Sequence, residues 1–110
     1  MAMQVQKESV GDAAVFAVEG SVDIYSSPQL RGELKTALDA KTPRIVVDMG
    51  GVTFVDSSGL ATLIEGLQKV KVYAGQLYLC NLSKTVFGVF QLANLDHIFE
   101  IKETRDAALK

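Results

Sequence analysis

With a single cysteine in 110 residues, the chain can close no intrachain disulfide and assemble no cysteine-based metal site. Cys80 sits among Leu77, Leu79 and Leu82, a setting for a small core residue rather than for a reactive thiol, which needs electropositive, partly exposed surroundings. Histidine is equally scarce: His97, beside Ile98 and Phe99, reads as a strand-end residue and leaves a Ser-His-Asp hydrolase without a base. No Gly-x-Ser-x-Gly elbow, no phosphate loop and no metal-ligand spacing of His, Cys and carboxylates occurs, and Gly50-Gly51 has no lysine after it. Neither an enzyme nor a cofactor is expected. Long apolar runs are missing too, as is a basic stretch followed by an apolar one at Met1 to Val5, so the expectation is a cytoplasmic protein without a membrane partner. The 11 basic and 13 acidic residues are mixed along the chain and give a net charge of -2. Nothing there forms a basic stripe for nucleic acid.

What is present is apolar residue enough, 48%, for one core, and the reading is a single domain over 1–110 without internal repeats or linkers. Val5 to Lys7 and Ala13 to Glu19 read as an antiparallel hairpin turning at Ser9-Val10-Gly11-Asp12, with the more polar first strand at a sheet edge. Gly20 is expected to end the second strand. Ser27-Pro28 then supplies a helix cap and a first helical residue, and Leu30, Leu34, Ala37 and Leu38 an apolar stripe. Ile45-Val46-Val47 is a strand buried on both faces, with Asp48 at its end, and Val52 to Val55 extends the chain again after the two glycines. Asp48 lacks the acidic pair and the lysine that a response-regulator phosphoacceptor requires, since Glu19 and the Lys102 region do not supply them.

Leu60, Leu63, Ile64, Leu67 and Val70 define a second helix, and Leu77 to Asn81 a further strand. Ser83 caps a third helix with Val86, Phe87, Val89, Phe90 and Ala93 on its apolar face. Leu95 to Ile101 follows as a strand, then Thr104 to Leu109 as a helix docked through Ala107, Ala108 and Leu109. The sum is an α/β fold: a mixed sheet of about five strands, an N-terminal antiparallel hairpin followed by βα units, packed with about four helices.

The most informative stretch is Asp56-Ser57-Ser58-Gly59, where strand spacing gives way to helical spacing. Ser57 or Ser58 suits the helix N-cap and Gly59 a close backbone approach. Beside that reading stands another, a hydroxyl displayed at the carboxyl end of a strand, where open α/β sheets place working groups. Asp23 likewise has two readings, a turn carboxylate bonding its own backbone or a partner contact.

Val52-Thr53-Phe54-Val55-Asp56-Ser57-Ser58-Gly59-Leu60, after Val46-Val47-Asp48-Met49, resembles the signature of STAS domains, in particular the free-standing bacterial anti-sigma factor antagonists. Gly20 to Leu30, Leu77 to Ser83 and Leu95 to Phe99 fit the same family in order. The resemblance implies a STAS-like single domain that, unphosphorylated, binds an anti-sigma factor serine kinase and frees a sigma factor. By the same resemblance Ser57 is the phosphorylated serine, Ser58 a cap or neighbour, and a PP2C-type phosphatase the enzyme that resets it. The partner surface it implies comprises Asp23, Ile24, Tyr25, Ser26, Ser27, Asp56, Ser58, Gly59 and Leu60. Alternatives are a STAS scaffold in a lipid-transport or other signalling complex, and a nucleotide-binding domain.

Overall fold

The strands of the sheet lie in chain order, and that order decides where the helices go. A computed structural model describes residues 2–110 and contains, in sequence, β1 Gln4–Val10, β2 Ala13–Val22, α1 Ser27–Asp39, β3 Arg44–Val55, α2 Ser57–Val72, β4 Gln76–Cys80, α3 Lys84–Leu92, β5 Glu100–Lys102 and α4 Arg105–Leu109. The sheet order is β1-β2-β3-β4-β5, with β1 antiparallel to β2 and every later pair parallel. Parallel neighbours need crossovers of one hand, so a sheet that grows steadily in one direction collects its connecting helices on one face. There Leu30 and Leu34 of α1, Leu63 and Val70 of α2, and Val86 and Phe90 of α3 bury Phe16, Val18, Ile45, Val47, Leu77 and Leu79. On the opposite face only α4 packs, its Ala108 over Val15, Val46 and Cys80. Covered on both sides, the central strands carry continuous apolar runs instead of alternation.

Several expected boundaries move for identifiable reasons. The hairpin turn is the two residues Gly11-Asp12, with Gly11 at a φ of 60° as a first central residue of a tight hairpin requires. Gly20 does not end β2. It adopts a φ of 91° inside the strand, where the carbonyl oxygen of Ala2 lies 2.6 Å from the place a Cβ would occupy, and the register with β3 shifts at this point. Nor does β3 stop at Asp48, because it runs unbroken through the two glycines for 12 residues. The last strand is shorter than expected, since Leu95 and Phe99 are buried anchors of a turn in which the Leu95 carbonyl accepts from both Ile98 and Phe99. In α4, Ala108 is buried whereas Ala107 faces solvent.

Beyond the end of β4 at Cys80, which pairs with Asp48, β3 keeps β2 as its partner as far as the Val22–Val55 pair. A two-stranded ribbon thus projects past the rest of the sheet. Asp48, at its foot, is mid-strand rather than at a strand end. Burial would raise its carboxyl, but donors from Asn81 Nδ2 at 3.0 Å, the Gly50 amide at 3.0 Å and Arg105 at 2.9 and 3.1 Å outweigh this and hold it below the ordinary value.

Under α4 the Cys80 thiol is buried and pushed up to about 11, first by desolvation and then by the nearby Asp48 charge. Relative to a free thiol that lowers the thiolate fraction at pH 8 by about two orders of magnitude. Ellman's reagent is therefore expected to leave the folded chain unmodified on a timescale of minutes and to titrate one thiol in denaturant; prompt labelling of the native protein would contradict this packing.

Candidate functional site

At the tip of the ribbon two loops depart, one from Val22 into α1 and one from Val55 into α2. The Asp56 amide donates to the Val22 carbonyl at 3.1 Å, extending the ladder by one rung before the chain turns into α2. Asp56 itself is the N-cap of α2, with extended backbone angles. Its Oδ1 accepts from the amides of Ser58 at 2.9 Å and Gly59 at 3.1 Å and from the Ser58 hydroxyl at 2.5 Å. Its Oδ2 accepts from the Ile24 amide, 3.2 Å away and 32 residues earlier in the chain. One carboxylate therefore caps a helix and ties the two loops together. The expectation that Ser57 or Ser58 caps the helix is corrected: an ionised carboxylate one position earlier offers two acceptors and a negative charge to the positive end of the helix, and outcompetes a hydroxyl. The Ser58 hydroxyl bond leads in holding the Asp56 carboxyl below its usual range, burial opposes it, and the three amides add to it.

The Asp23 loop is ordered in a similar way. Asp23 Oδ1 accepts from the amides of Tyr25 and Ser26, each at 3.0 Å, while the Asp23 amide donates to Ser26 Oγ at 2.9 Å. Of the two readings of Asp23, the turn is realised through this one oxygen. Helix α1 begins at Ser27, so Ser26 and not Ser27 is its N-cap, and it makes no side-chain cap because its hydroxyl donates to the Ser21 carbonyl at 2.8 Å. Ser27 Oγ instead lies 3.0 Å from Ser58 Oγ, a second link between the loops.

Ser57 stands apart from all of this. It is exposed at the first position of α2, and among the described residues its hydroxyl has no hydrogen-bond partner. Among the described residues the Asp56 carboxylate accepts from Ile24, Ser58 and Gly59 and not from Ser57, and the exposed His97 pairs with Asp96 at 3.4 Å. On the loop that Asp56 ties to the start of α2, Ile24 is 66% and Tyr25 90% exposed. Ser27, Gly59 and Leu60, expected at a partner surface, are buried and support it from beneath. Gly59 in particular packs so closely that a Cβ there would meet the Val22 carbonyl oxygen at 2.8 Å.

Phe54 was not among the expected site residues, yet it is 51% exposed, three positions before Ser57. With Val55 buried under the helices, strand alternation turns Phe54 to the other face, a signal masked by the unbroken apolar run Phe54-Val55. A hollow of about 370 Å³ lies against Asp23, Tyr25 and Ser26, and a larger one of about 680 Å³, lined by residues such as Leu82, Phe87 and His97, includes none of these groups. Among the described residues no group of His, Cys, Asp and Glu is arranged to hold a metal ion, and no helix is long and apolar enough to cross a membrane.

The STAS domain family model matches residues 4–108. The chain is 27% identical over 96 residues to the anti-sigma-B factor antagonist of Listeria monocytogenes, covering 87% of this chain and 84% of that one. The phosphorylated form of the Bacillus cell fate determinant SpoIIAA superposes with a TM-score of 0.75 at 26% identity, over 96% of each chain. An anti-sigma factor antagonist from Mycobacterium paratuberculosis shares the fold with a TM-score of 0.90 at 24% identity, over 98% of this chain and 92% of that one.

Loss of the cap in Asp56→Ala is expected to cost about 0.5–2 kcal/mol, and Gly59→Ala about 1–3 kcal/mol because backbone must move, both read from urea unfolding. Since the folded carboxyl of Asp56 lies below its unfolded value, its contribution is present above about pH 4 and is lost as pH falls through the folded value. The acid-side decline in stability should therefore be shallower in Asp56→Ala, and an identical decline would exclude the role given to this carboxylate.

Proposed function

The chain belongs to the STAS domain family, and from that premise we propose that it is an anti-sigma factor antagonist, a binding regulator and not an enzyme, working by partner exchange. Unphosphorylated, it captures an anti-sigma factor that is itself a serine kinase; that kinase phosphorylates Ser57 and is thereby released, and a PP2C-type phosphatase restores the hydroxyl. The single observation that carries the assignment is the contrast between adjacent hydroxyls: Ser57 exposed and free, Ser58 held by Asp56 and Ser27. The likeness to antagonists such as that of Listeria monocytogenes, and to SpoIIAA, which exists in a phosphorylated form, supports the same reading.

The mechanism follows from where the phosphate would sit. It adds about -1.5 to -2 charges at the start of α2. The helix dipole favours a negative charge there by only about 0.3–1 kcal/mol, and the ionised Asp56 alongside opposes it. Most first-turn amides are already spent, those of Ser58 and Gly59 on the Asp56 carboxylate and that of Leu60 on the Asp56 carbonyl, which leaves that of Ser57 itself. With so little to gain from its own chain, the phosphate has little leverage on the fold. Turning a complex from about 99:1 bound to 1:99 takes about 5.5 kcal/mol. Burying a dianion in an interface beside the carboxylates of Asp23 and Asp56 supplies a cost of that order, whereas adjusting one cap does not. Phosphorylation therefore blocks docking directly. Ile24 and Tyr25 give the surface its apolar contacts, and the second oxygen of Asp23, unpaired among the described residues, is available to a basic partner group.

Incubation with the kinase and ATP is expected to add one phosphate by mass to the wild type and to Ser58→Ala but none to Ser57→Ala; modification at another residue would refute the assignment. Ser57→Asp should weaken kinase binding at least tenfold with an unchanged circular dichroism spectrum, and undiminished affinity would sink the direct-block mechanism.

A further inference from the structure

The face of the sheet that α4 covers is covered only at its lower end. Above the Asp48–Arg105 pair, among the described residues, no helix packs on it, and the ribbon formed by β2 and the upper half of β3 is bare on that side. Register defines what the bare face presents. Val18 and Val22 point into the helical core, so Ala17, Glu19 and Ser21 point away from it; Gln4 and Gln6, directly opposite Glu19 and Ala17 on β1, share their face. On β3, Phe54 pairs with Ser21 and stands on the same side, half exposed. Gly51 has no side chain, and the stem of Glu19 lies across it, with Cγ 2.6 Å from where a Cβ would be. The result is one aromatic ring on a flat floor, edged by an acidic group and two glutamines.

We propose that this helix-free face, from Phe54 to Glu19, is part of the surface that grips the anti-sigma partner, taking an apolar side chain against Phe54 and a lysine or arginine against Glu19. The inference rests on the antagonist reading and extends it to a face that the sequence motif does not touch. Three observations carry it. The first is continuity: Phe54 is three extended residues, about 10 Å, from Ser57, so a partner seated on the serine reaches the ring. Second, a half-exposed phenylalanine beside Ser21, with Glu19 further along the same face, has the composition of an interface anchor, where aromatics dominate and polar groups lie around them. The third is charge. Among the described residues Glu19 forms no ion pair, and with Asp23 and Asp56 it makes this end of the molecule acidic. A second copy of the chain would set acid against acid in a two-fold contact, whereas a basic partner is complementary.

The test compares the affinity of four variants for the purified kinase that phosphorylates Ser57, by calorimetry at two salt concentrations. Phe54→Ala and Glu19→Lys are each expected to weaken binding at least tenfold, Glu19→Lys also to flatten the salt dependence, and Leu92→Ala, an exposed apolar residue on α3, to bind as wild type. Glu19 is exposed and makes no bond that the fold needs, so its variant remains informative even where Phe54→Ala folds poorly. If Ser57→Asp abolishes binding while Phe54→Ala and Glu19→Lys bind normally, the proposal falls and the antagonist reading stands. Undiminished binding by Ser57→Asp would overturn both. A concentration-dependent dimer in sedimentation, lost in Phe54→Ala, would assign the face to a second copy and overturn the proposal as well.

Discussion

The Asp56 carboxylate is the interaction on which the working end of this protein depends. Its two oxygens hold the start of α2 on one side and the Ile24 backbone on the other, and every donor it receives is neutral. Being neutral, those donors leave a full negative charge standing beside Ser57. The same group that shapes the loop thus sets the electrostatic background against which any added phosphate is felt. Gly59 is the steric counterpart: it lets α2 approach β2 until the Val22 carbonyl fills the space of a missing side chain. Together they fix the Ser57 hydroxyl on a rigid helix start instead of a mobile loop, which is the kind of support a recognition surface needs.

Much of the fold was legible because its signals are local. Strand and helix periodicities, the Ser83 cap and the Gly11-Asp12 turn each depend on neighbours within a few residues, and all appear where the sequence placed them or nearly so. What could not be read depends on distant partners. Gly20 looks like a strand breaker until the Ala2 carbonyl is brought against it, and Asp48 reads as a strand-end residue with no partner named until Arg105 arrives from 57 residues away. At the Asp56–Gly59 junction, motif spacing placed the strand-to-helix turn but not the division of hydrogen bonds within it. Whether Asp56 or a serine caps the helix is decided by which acceptor wins, and burial of Ser27, Gly59 and Leu60 follows from α1 and α2 closing over the ribbon. Phe54 escaped notice for the converse reason. It is apolar, and its exposure comes from the lack of a helix on one side of the sheet, a fact of topology rather than of composition.

The two faces of the sheet accordingly have different roles. Beneath α1, α2 and α3 lies a core of the ordinary close-packed kind, and it carries the stability. The other face is closed by one short helix whose single buried residue is Ala108, and Arg105 of that helix adds an ion pair to Asp48. Keeping the bulk of the packing on one side leaves the ribbon and its loops open to solvent, while the exposed Ser57 hydroxyl stays remote from the core.

The order of the strands in the sheet also bears on how the chain is made. Because each strand lies beside the one synthesised just before it, the sheet can grow outward in step with translation, and no segment need wait for a distant pairing partner. The clasp formed by Arg105 is the exception, since it reaches back to Asp48 and to Glu8 in the first strand. A chain cut before Arg105 would keep every strand pairing yet leave Asp48 without its counterion, so one late residue balances a charge laid down much earlier in synthesis.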